Sequence, residues 1–192
     1  MTDVIRPFRI GSGKLTSEGQ VIVVNSPFDG HEIGRAAAGT EADLDRLLAI
    51  NLKGVFFGCQ AAGRVMAEQG SGSIVNMASA AVDQPAGGLV CYGMAKAALV
   101  QLTKVLAVEL GPTGVRANAV APGFIVTPMT NKAWIAEDGT EDPEIKEAFT
   151  GRMSKGTPLR TVGEPDDIAY AVLYLASVGL GVGLLVDTGS GG

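Results

Sequence analysis

Tyr92 and Lys96 stand four residues apart in the run Tyr92-Gly-Met-Ala-Lys96, and Ser79 lies thirteen residues upstream of Tyr92. On a helix, residues four apart share a face, so Lys96 holds its ammonium near the phenol of Tyr92. A neighbouring cation favours phenolate over phenol and makes a tyrosine usable as an acid/base near neutral pH. Ser79 follows the apolar run Ser73-Ile-Val-Asn-Met77. It therefore leaves a strand at its carboxyl end, the edge along which ligands of open α/β sheets collect. A hydroxyl there can hydrogen-bond a substrate carbonyl. A bare Tyr-x-x-x-Lys is more often a packed ring beside a solvated charge. The strand, serine and helix in sequence give this one chemical weight.

Several elements must position these groups. Thr40 is an N-cap, with an acidic first turn at Glu41 and Asp43 three residues on. Leu44, Leu47, Leu48, Ile50/Asn51, Val55 and Phe56 then recur at helical spacing, predicting a helix over 41–69 that Gly70 stops. A short buried strand follows at Ser73–Met77. A glycine-rich loop leads to a helix over 91–110, ended by Gly111-Pro112. Val115–Val120 is the next strand. Residues 122–163 read mostly as loop, with short helices near 128–136 and 141–149. Glu164-Pro-Asp opens a helix to Ser177, and Gly183–Asp187 is a last strand. Strands alternating with helices give a parallel sheet, an α/β fold. Residues 1–39 read differently. Phe8–Ile10, Val21–Val24 and Glu32–Ala36 are short extended pieces, and Asp29-Gly30 between β-prone runs signals a hairpin.

The 192 residues are 46% hydrophobic and 18% charged, enough to build a core. The net charge of −5, without a basic patch, argues against nucleic acid as a partner. Two cysteines and one histidine cannot supply a Cys/His zinc site or a disulfide framework. The N-terminus lacks an apolar signal core, and the longest apolar run is far short of a membrane span. A cytoplasmic protein with no membrane partner is expected.

The motifs together resemble the short-chain dehydrogenase/reductase family. They are Asn51-Leu-Lys-Gly-Val-Phe, Gly72-Ser-Ile-Val-Asn-Met-Ala-Ser79, Tyr92-Gly-Met-Ala-Lys-Ala-Ala, Val115-Arg-Ala-Asn-Ala-Val-Ala-Pro-Gly-Phe-Ile-Val-Thr-Pro and Gly163-Glu-Pro-Asp-Asp-Ile-Ala. They fall in the family's order over residues 40–177. The resemblance implies a Rossmann-like parallel sheet and hydride transfer between NAD or NADP and an alcohol or ketone. Tyr92 matches the acid/base, Lys96 the residue that holds the nicotinamide ribose, and Ser79 the residue that orients the carbonyl. Asn51 matches the helix residue whose carbonyl holds a relay water; on its own it is a polar residue interrupting a helix. Pro122, Gly123, Ile125 and Thr127 match the turn that closes on the nicotinamide carboxamide. Helices 41–69 and 91–110 look like those that pair subunits in the family, implying a homo-oligomer.

Departures accompany the match. The family's opening strand, its Thr-Gly-x-x-x-Gly-x-Gly turn and its Asn-Asn-Ala-Gly segment have no counterpart, a deficit of about 80 residues by the size of such units. Residues 1–39 instead resemble, at Val23–Arg35, the N-terminal β-ribbon of aldehyde dehydrogenases. The expected organisation is a ribbon over 1–39 and part of a Rossmann-like domain over 40–192. The alternative to an oxidoreductase is a catalytically inactive remnant acting as an oligomerising interaction module.

Overall fold

The computed structural model describes residues 5–6, 8–10, 13–15, 21–25, 29–37, 39–84, 87–131, 134–135, 139–177 and 185–187. The chain forms two compact units, Met1–Ile50 and Asn51–Gly192.

In the first unit, β1 (Ile5–Arg6), β5 (Glu32–Ala37) and β4 (Val21–Asn25) form one sheet, and β2 (Phe8–Ile10) pairs with β3 (Gly13–Leu15) in a second. β4 and β5 are antiparallel, as the Asp29-Gly30 signal requires. β1 and β3 were not legible: two or three residues carry too little alternation to stand out. Helix α1 (Glu41–Leu48) opens with a capping box. The Asp43 amide donates to Thr40 Oγ1 at 3.2 Å, and the Thr40 amide donates to Asp43 Oδ2 at 2.9 Å. The Thr40 backbone hydrogen bond holds the Asp43 carboxyl below its usual range.

The expected single helix over 41–69 is interrupted. After α1 comes a π-turn, Ala49–Lys53, and then α2 (Gly54–Gln69). The apolar spacing slips at Ile50/Asn51, and one wider turn absorbs the slip. Gly70 ends α2 in the left-handed conformation, φ 72°.

The second unit is built on a parallel sheet of β6 (Gly72–Met77), β7 (Val115–Ala121) and β8 (Leu185–Asp187), in that order. Helix α3 (Val90–Leu110) connects β6 to β7. Helix α4 (Pro143–Ser154) and helix α5 (Pro165–Ser177) lie between β7 and β8. Within the short helix expected near 128–136, residues 128–130 are turn, Asn131 is 3₁₀ and Ile135 bridges to Glu141, while 132–133 and 136 lie outside the described residues. The helix expected near 141–149 starts at Pro143, capped by Asp142, and runs further, to Ser154. Residues 183–184 of the last expected strand lie outside the described residues.

β7 is buried at nearly every position, as a central parallel strand must be. One face carries Val115, Ala117, Ala119 and Ala121, which pack with Ile74 and Ala78 of β6 and its exit against α2 and α3. The opposite face meets α5. Arg116 Nη1 donates to the Leu175 carbonyl at 2.6 Å and Nη2 to the Ala176 carbonyl at 2.8 Å. A cation on the last carbonyls of a helix complements its dipole. A polar chain crosses the core of the first face. Cys59 Sγ donates to Asn76 Oδ1 at 3.3 Å, Asn76 Nδ2 to Thr103 Oγ1 at 2.9 Å, and Thr103 Oγ1 to the Leu99 carbonyl at 2.8 Å. Burial pushes the Cys59 thiol pKa up.

By length and composition alone, Val90–Thr113 could cross a membrane. In this fold it covers a sheet: Ala95, Leu99, Val100 and Thr103 are buried, and α3 packs along β7.

Gly114 closes the turn from α3 into β7 at φ 79°, and a Cβ there would lie 2.3 Å from the Gly70 carbonyl oxygen. Both the backbone angle and the close approach require glycine. Gly114→Ala is expected to destabilise the protein by about 2 kcal/mol or more in urea unfolding. A variant within about 0.5 kcal/mol of wild type would contradict this packing.

Candidate active site

The site begins where β6 ends. Parallel register carries β6 and β7 to the same edge, with Met77 opposite Val120. Two bonds continue the pairing beyond β6: the Ala78 amide donates to the Val120 carbonyl at 2.7 Å, and the Ala80 amide to the Pro122 carbonyl at 2.9 Å. Ser79 sits between them, half-buried, in extended conformation. Its Oγ accepts from the Ala81 amide at 3.2 Å and caps the short 3₁₀ turn Ala80–Val82. Occupied as an acceptor there, the hydroxyl has its own proton to give.

Helix α3 brings the other two groups to the same edge. Gly93, in its first turn, approaches the 3₁₀ turn closely: a Cβ there would stand 3.4 Å from the Ala81 carbonyl oxygen. One turn on, Lys96 Nζ donates to the Met77 carbonyl at 2.9 Å. The ammonium lies 5.6 Å from the centroid of the Tyr92 ring, within the range of attraction between a cation and a ring face. Burial pushes the Lys96 amine below its ordinary value. A desolvated ammonium with three donors seeks acceptors, and Met77 supplies one. Lys96 is thus bonded to the carboxyl end of β6, from which Ser79 follows in the chain, and the Tyr92 ring lies beside the Lys96 ammonium.

The Pro122–Thr127 segment leaves the neighbouring end of β7 and is pinned from two directions. The Val126 amide donates to the Gly163 carbonyl at 2.9 Å, and the Gly163 amide to the Phe124 carbonyl at 3.1 Å. A Cβ on Gly163 would meet Ile125 Cδ1 at 2.4 Å, so a larger residue there would have to turn the end of the Ile125 side chain aside. Thr130 pins the other end through Thr127 and Ile125. Pro122 and Gly123 are half-buried beside the Ala80 tie. Asn51 lies apart from this set in sequence and element, half-buried in the π-turn before α2.

The sequence gives Gly163 only as the start of a motif, and marks neither Thr130 nor the Met77 carbonyl. Thr127-x-x-Thr130 was a usable signal, since threonine hydroxyls close local turns. No sequence pattern marks a backbone carbonyl as a lysine partner. A hollow of about 300 Å³ lies between α2 and β6, lined by Val55, Cys59, Met66 and Ile74 among others. None of Ser79, Tyr92 or Lys96 lines it.

A parallel sheet covered by helices on both faces, with polar groups gathered at its carboxyl edge, defines a Rossmann-like α/β protein. The comparisons give the family. A family model described as enoyl-(acyl carrier protein) reductase matches residues 18–189. The chain is 42% identical over 156 residues to 4-formylbenzenesulfonate dehydrogenase of Comamonas testosteroni, covering 81% of this chain and 59% of that one. Levodione reductase superposes with a TM-score of 0.68 at 36% identity, covering 79% of this chain and 58% of the other. Xylitol dehydrogenase solved with NAD+ bound gives 0.67 at 27%, covering 79% and 61%. This chain belongs to the short-chain dehydrogenase/reductase family. It spans about three fifths of the length of the relatives just named.

The residues present fit the nicotinamide riboside end of a cofactor. Lys96 offers a desolvated cation suited to ribose hydroxyls. The pinned turn at 122–127 offers backbone groups and a threonine hydroxyl suited to a carboxamide. The set contains no phosphate ligand.

The Lys96 environment makes a pH prediction. Unfolding restores the ordinary lysine pKa, so between the depressed folded value and 10.5 the unfolded state binds more protons. The contribution of Lys96 to stability therefore rises with pH through that window. Urea unfolding of wild type and Lys96→Met, from neutral pH to 10.5, should show the wild-type stability climbing relative to the variant. A difference that stays flat would mean the amine is not desolvated.

Proposed function

We infer that the chain serves an NAD- or NADP-dependent oxidoreductase that interconverts a small alcohol and its carbonyl compound. The observation that carries this is the tie of Lys96 to the Met77 carbonyl at the β6 terminus, beside Ser79, with the Tyr92 ring against the ammonium. The family relatives support the chemistry, being dehydrogenases and reductases by name, one of them solved with NAD+.

Bound nicotinamide supplies or receives the hydride. The chain's own residues do the remaining work. Ser79 offers a hydrogen bond from its hydroxyl to the substrate oxygen, the bond it accepts from the Ala81 amide leaving that proton uncommitted. Tyr92 takes the proton from that oxygen when an alcohol is oxidised and returns one when a carbonyl is reduced. Lys96 holds ribose hydroxyls with the donors that the Met77 carbonyl leaves over. Pro122, Gly123, Ile125 and Thr127 hold the carboxamide, which orients the reacting face. Asn51 serves the proton path to Lys96 through its carbonyl. The choice between NAD and NADP rests on groups outside this set.

The assembly proposed is a homo-oligomer in the cytoplasm, paired through the exposed apolar residues of α2 and α3. Phe57 is 61% and Val108 77% exposed, and apolar surface of this kind on two adjacent helices marks an interface. Sedimentation is expected to show a dimer or larger species at micromolar concentration; a monomer there would refute the pairing.

Tyr92→Phe should abolish NAD(P)H-linked turnover, followed by absorbance, with the unfolding midpoint nearly unchanged. Ser79→Ala should cost roughly 10²–10³ in rate, as loss of one oxyanion donor does. Lys96→Met should weaken cofactor binding and lower turnover. Full activity in Tyr92→Phe would exclude this mechanism. An inactive wild type that binds neither NADH nor NADPH would favour the interaction module.

A further inference from the structure

The hollow between α2 and β6 lies apart from Ser79, Tyr92 and Lys96, and the hydride chemistry leaves it unused. Val55 and Met66 of α2 and Ile74 of β6 give it apolar walls, with the Cys59 thiol on the helix side. No residue that lines it carries a charged side chain. Burial raises the Cys59 pKa, so the thiol stays neutral as well. An ion entering the hollow would lose hydration and meet no counter-charge. The volume is about 300 Å³. An apolar cavity of roughly 150 Å³ already takes up benzene. One part of the wall is polar. Asn76 lines the hollow and is only 6% exposed. Its oxygen accepts from Cys59 Sγ at 3.3 Å, and its nitrogen donates to Thr103 Oγ1 at 2.9 Å. A side-chain amide nitrogen has a further proton to give, and among the described residues nothing accepts it. A buried donor left in that state costs free energy. Ser73, the other polar side chain in the lining, turns its own proton to the Leu175 carbonyl. Water at Asn76 would fill one corner and leave the apolar walls facing empty space.

We propose that this hollow is a second binding site, for a small neutral molecule with an apolar body and one carbonyl oxygen. The oxygen accepts the spare proton of Asn76, and the body lies against Val55, Met66 and Ile74. Uncharged walls exclude carboxylates, phosphates and ammonium groups, and the single donor orients what remains. The site is separate from the one at the carboxyl edge of the sheet, and it stands whether or not a cofactor is bound there.

The test titrates the full chain with acetophenone and with ethylbenzene, which has nearly the same shape and no oxygen, and follows NMR signals of the Met66 methyl and the Asn76 side-chain amide. Acetophenone should move both signals, and ethylbenzene the methyl alone. Acetophenone is itself a carbonyl compound, so Tyr92→Phe serves as a control and should leave the Met66 response unchanged. Two variants narrow the hollow from the helix side, Gly58→Leu and Ala62→Leu. A Cβ at Gly58 meets nothing within 4 Å, and leucine is the better helix former there. Each variant should weaken acetophenone binding by about tenfold or more without lowering the unfolding midpoint, because it occupies space the ligand needs. An Asn76 signal that acetophenone does not move, or a Met66 response that persists at full strength in both variants or vanishes in Tyr92→Phe, overturns the proposal. So does sedimentation in which either variant breaks up an oligomer that wild type forms while acetophenone moves no signal, since the hollow then belongs to a second copy of the chain.

Discussion

The second unit depends on how closely α3 can lie on β7. Alanine occupies three of the four positions with which β7 faces the helices, Ala117, Ala119 and Ala121. Small side chains on the strand let the helix settle onto the backbone. Ala95 and Leu99 of α3 are wholly buried in that contact. Larger residues on β7 would lift α3 and take Lys96 out of reach of the Met77 carbonyl, which it now meets at 2.9 Å. The placement of the basic group at the site is therefore set by residues that carry no chemistry. The same strand holds α5 on its other face through Arg116, so one sequence of seven residues positions helices on both sides.

Legibility in the sequence followed the physics that each feature rests on. Gly70, the N-cap Thr40 and the run Ser73–Met77 are local signals; the cap closes into a box with Asp43, and the strand starts one residue earlier, at Gly72. The places of Ser79 at a strand exit and of Tyr92 and Lys96 one turn apart on a helix were legible from strand and helical periodicity. The π-turn was not, because an apolar slip at Ile50/Asn51 fits either a continued helix or a wider turn. Helix α4 was placed too early and too short, although Asp142 before Pro143 is a strong start signal. The two clamps on the 122–127 segment join residues up to 39 positions apart, Phe124 to Gly163. Non-local ties of that kind leave no mark on either partner's neighbourhood.

The site divides into a part held by the sheet and a part held by turns. Lys96 is bonded to the last carbonyl of β6, and Ser79 to the 3₁₀ turn that follows it, whose Ala80 is paired to the exit of β7. Thr127 is held by one hydroxyl and one glycine bridge. Side chains beyond that bridge form a row of tilted rings, Phe124 against Phe149 at 5.6 Å and Phe149 against Trp134 at 5.5 Å. Helix α4 is thereby joined to the turn through ring contacts, which tolerate small sliding better than hydrogen bonds do. Movement of α4 would be felt first at Phe124, and only weakly at Ser79.

The buried chain Cys59–Asn76–Thr103 has a direction. Asn76 receives a proton on one side and gives one on the other, and Thr103 has committed its own proton to Leu99. Turning the Asn76 amide over would set oxygen against a threonine with no proton left to offer, and NH₂ against a thiol that is a poor acceptor. The amide is thus a keyed part that fits its slot one way round. Hydrocarbon surfaces alone would accept α2 and α3 at several offsets of similar energy. The key accepts a single offset, and it turns the meeting of two helices from a matter of degree into a matter of yes or no.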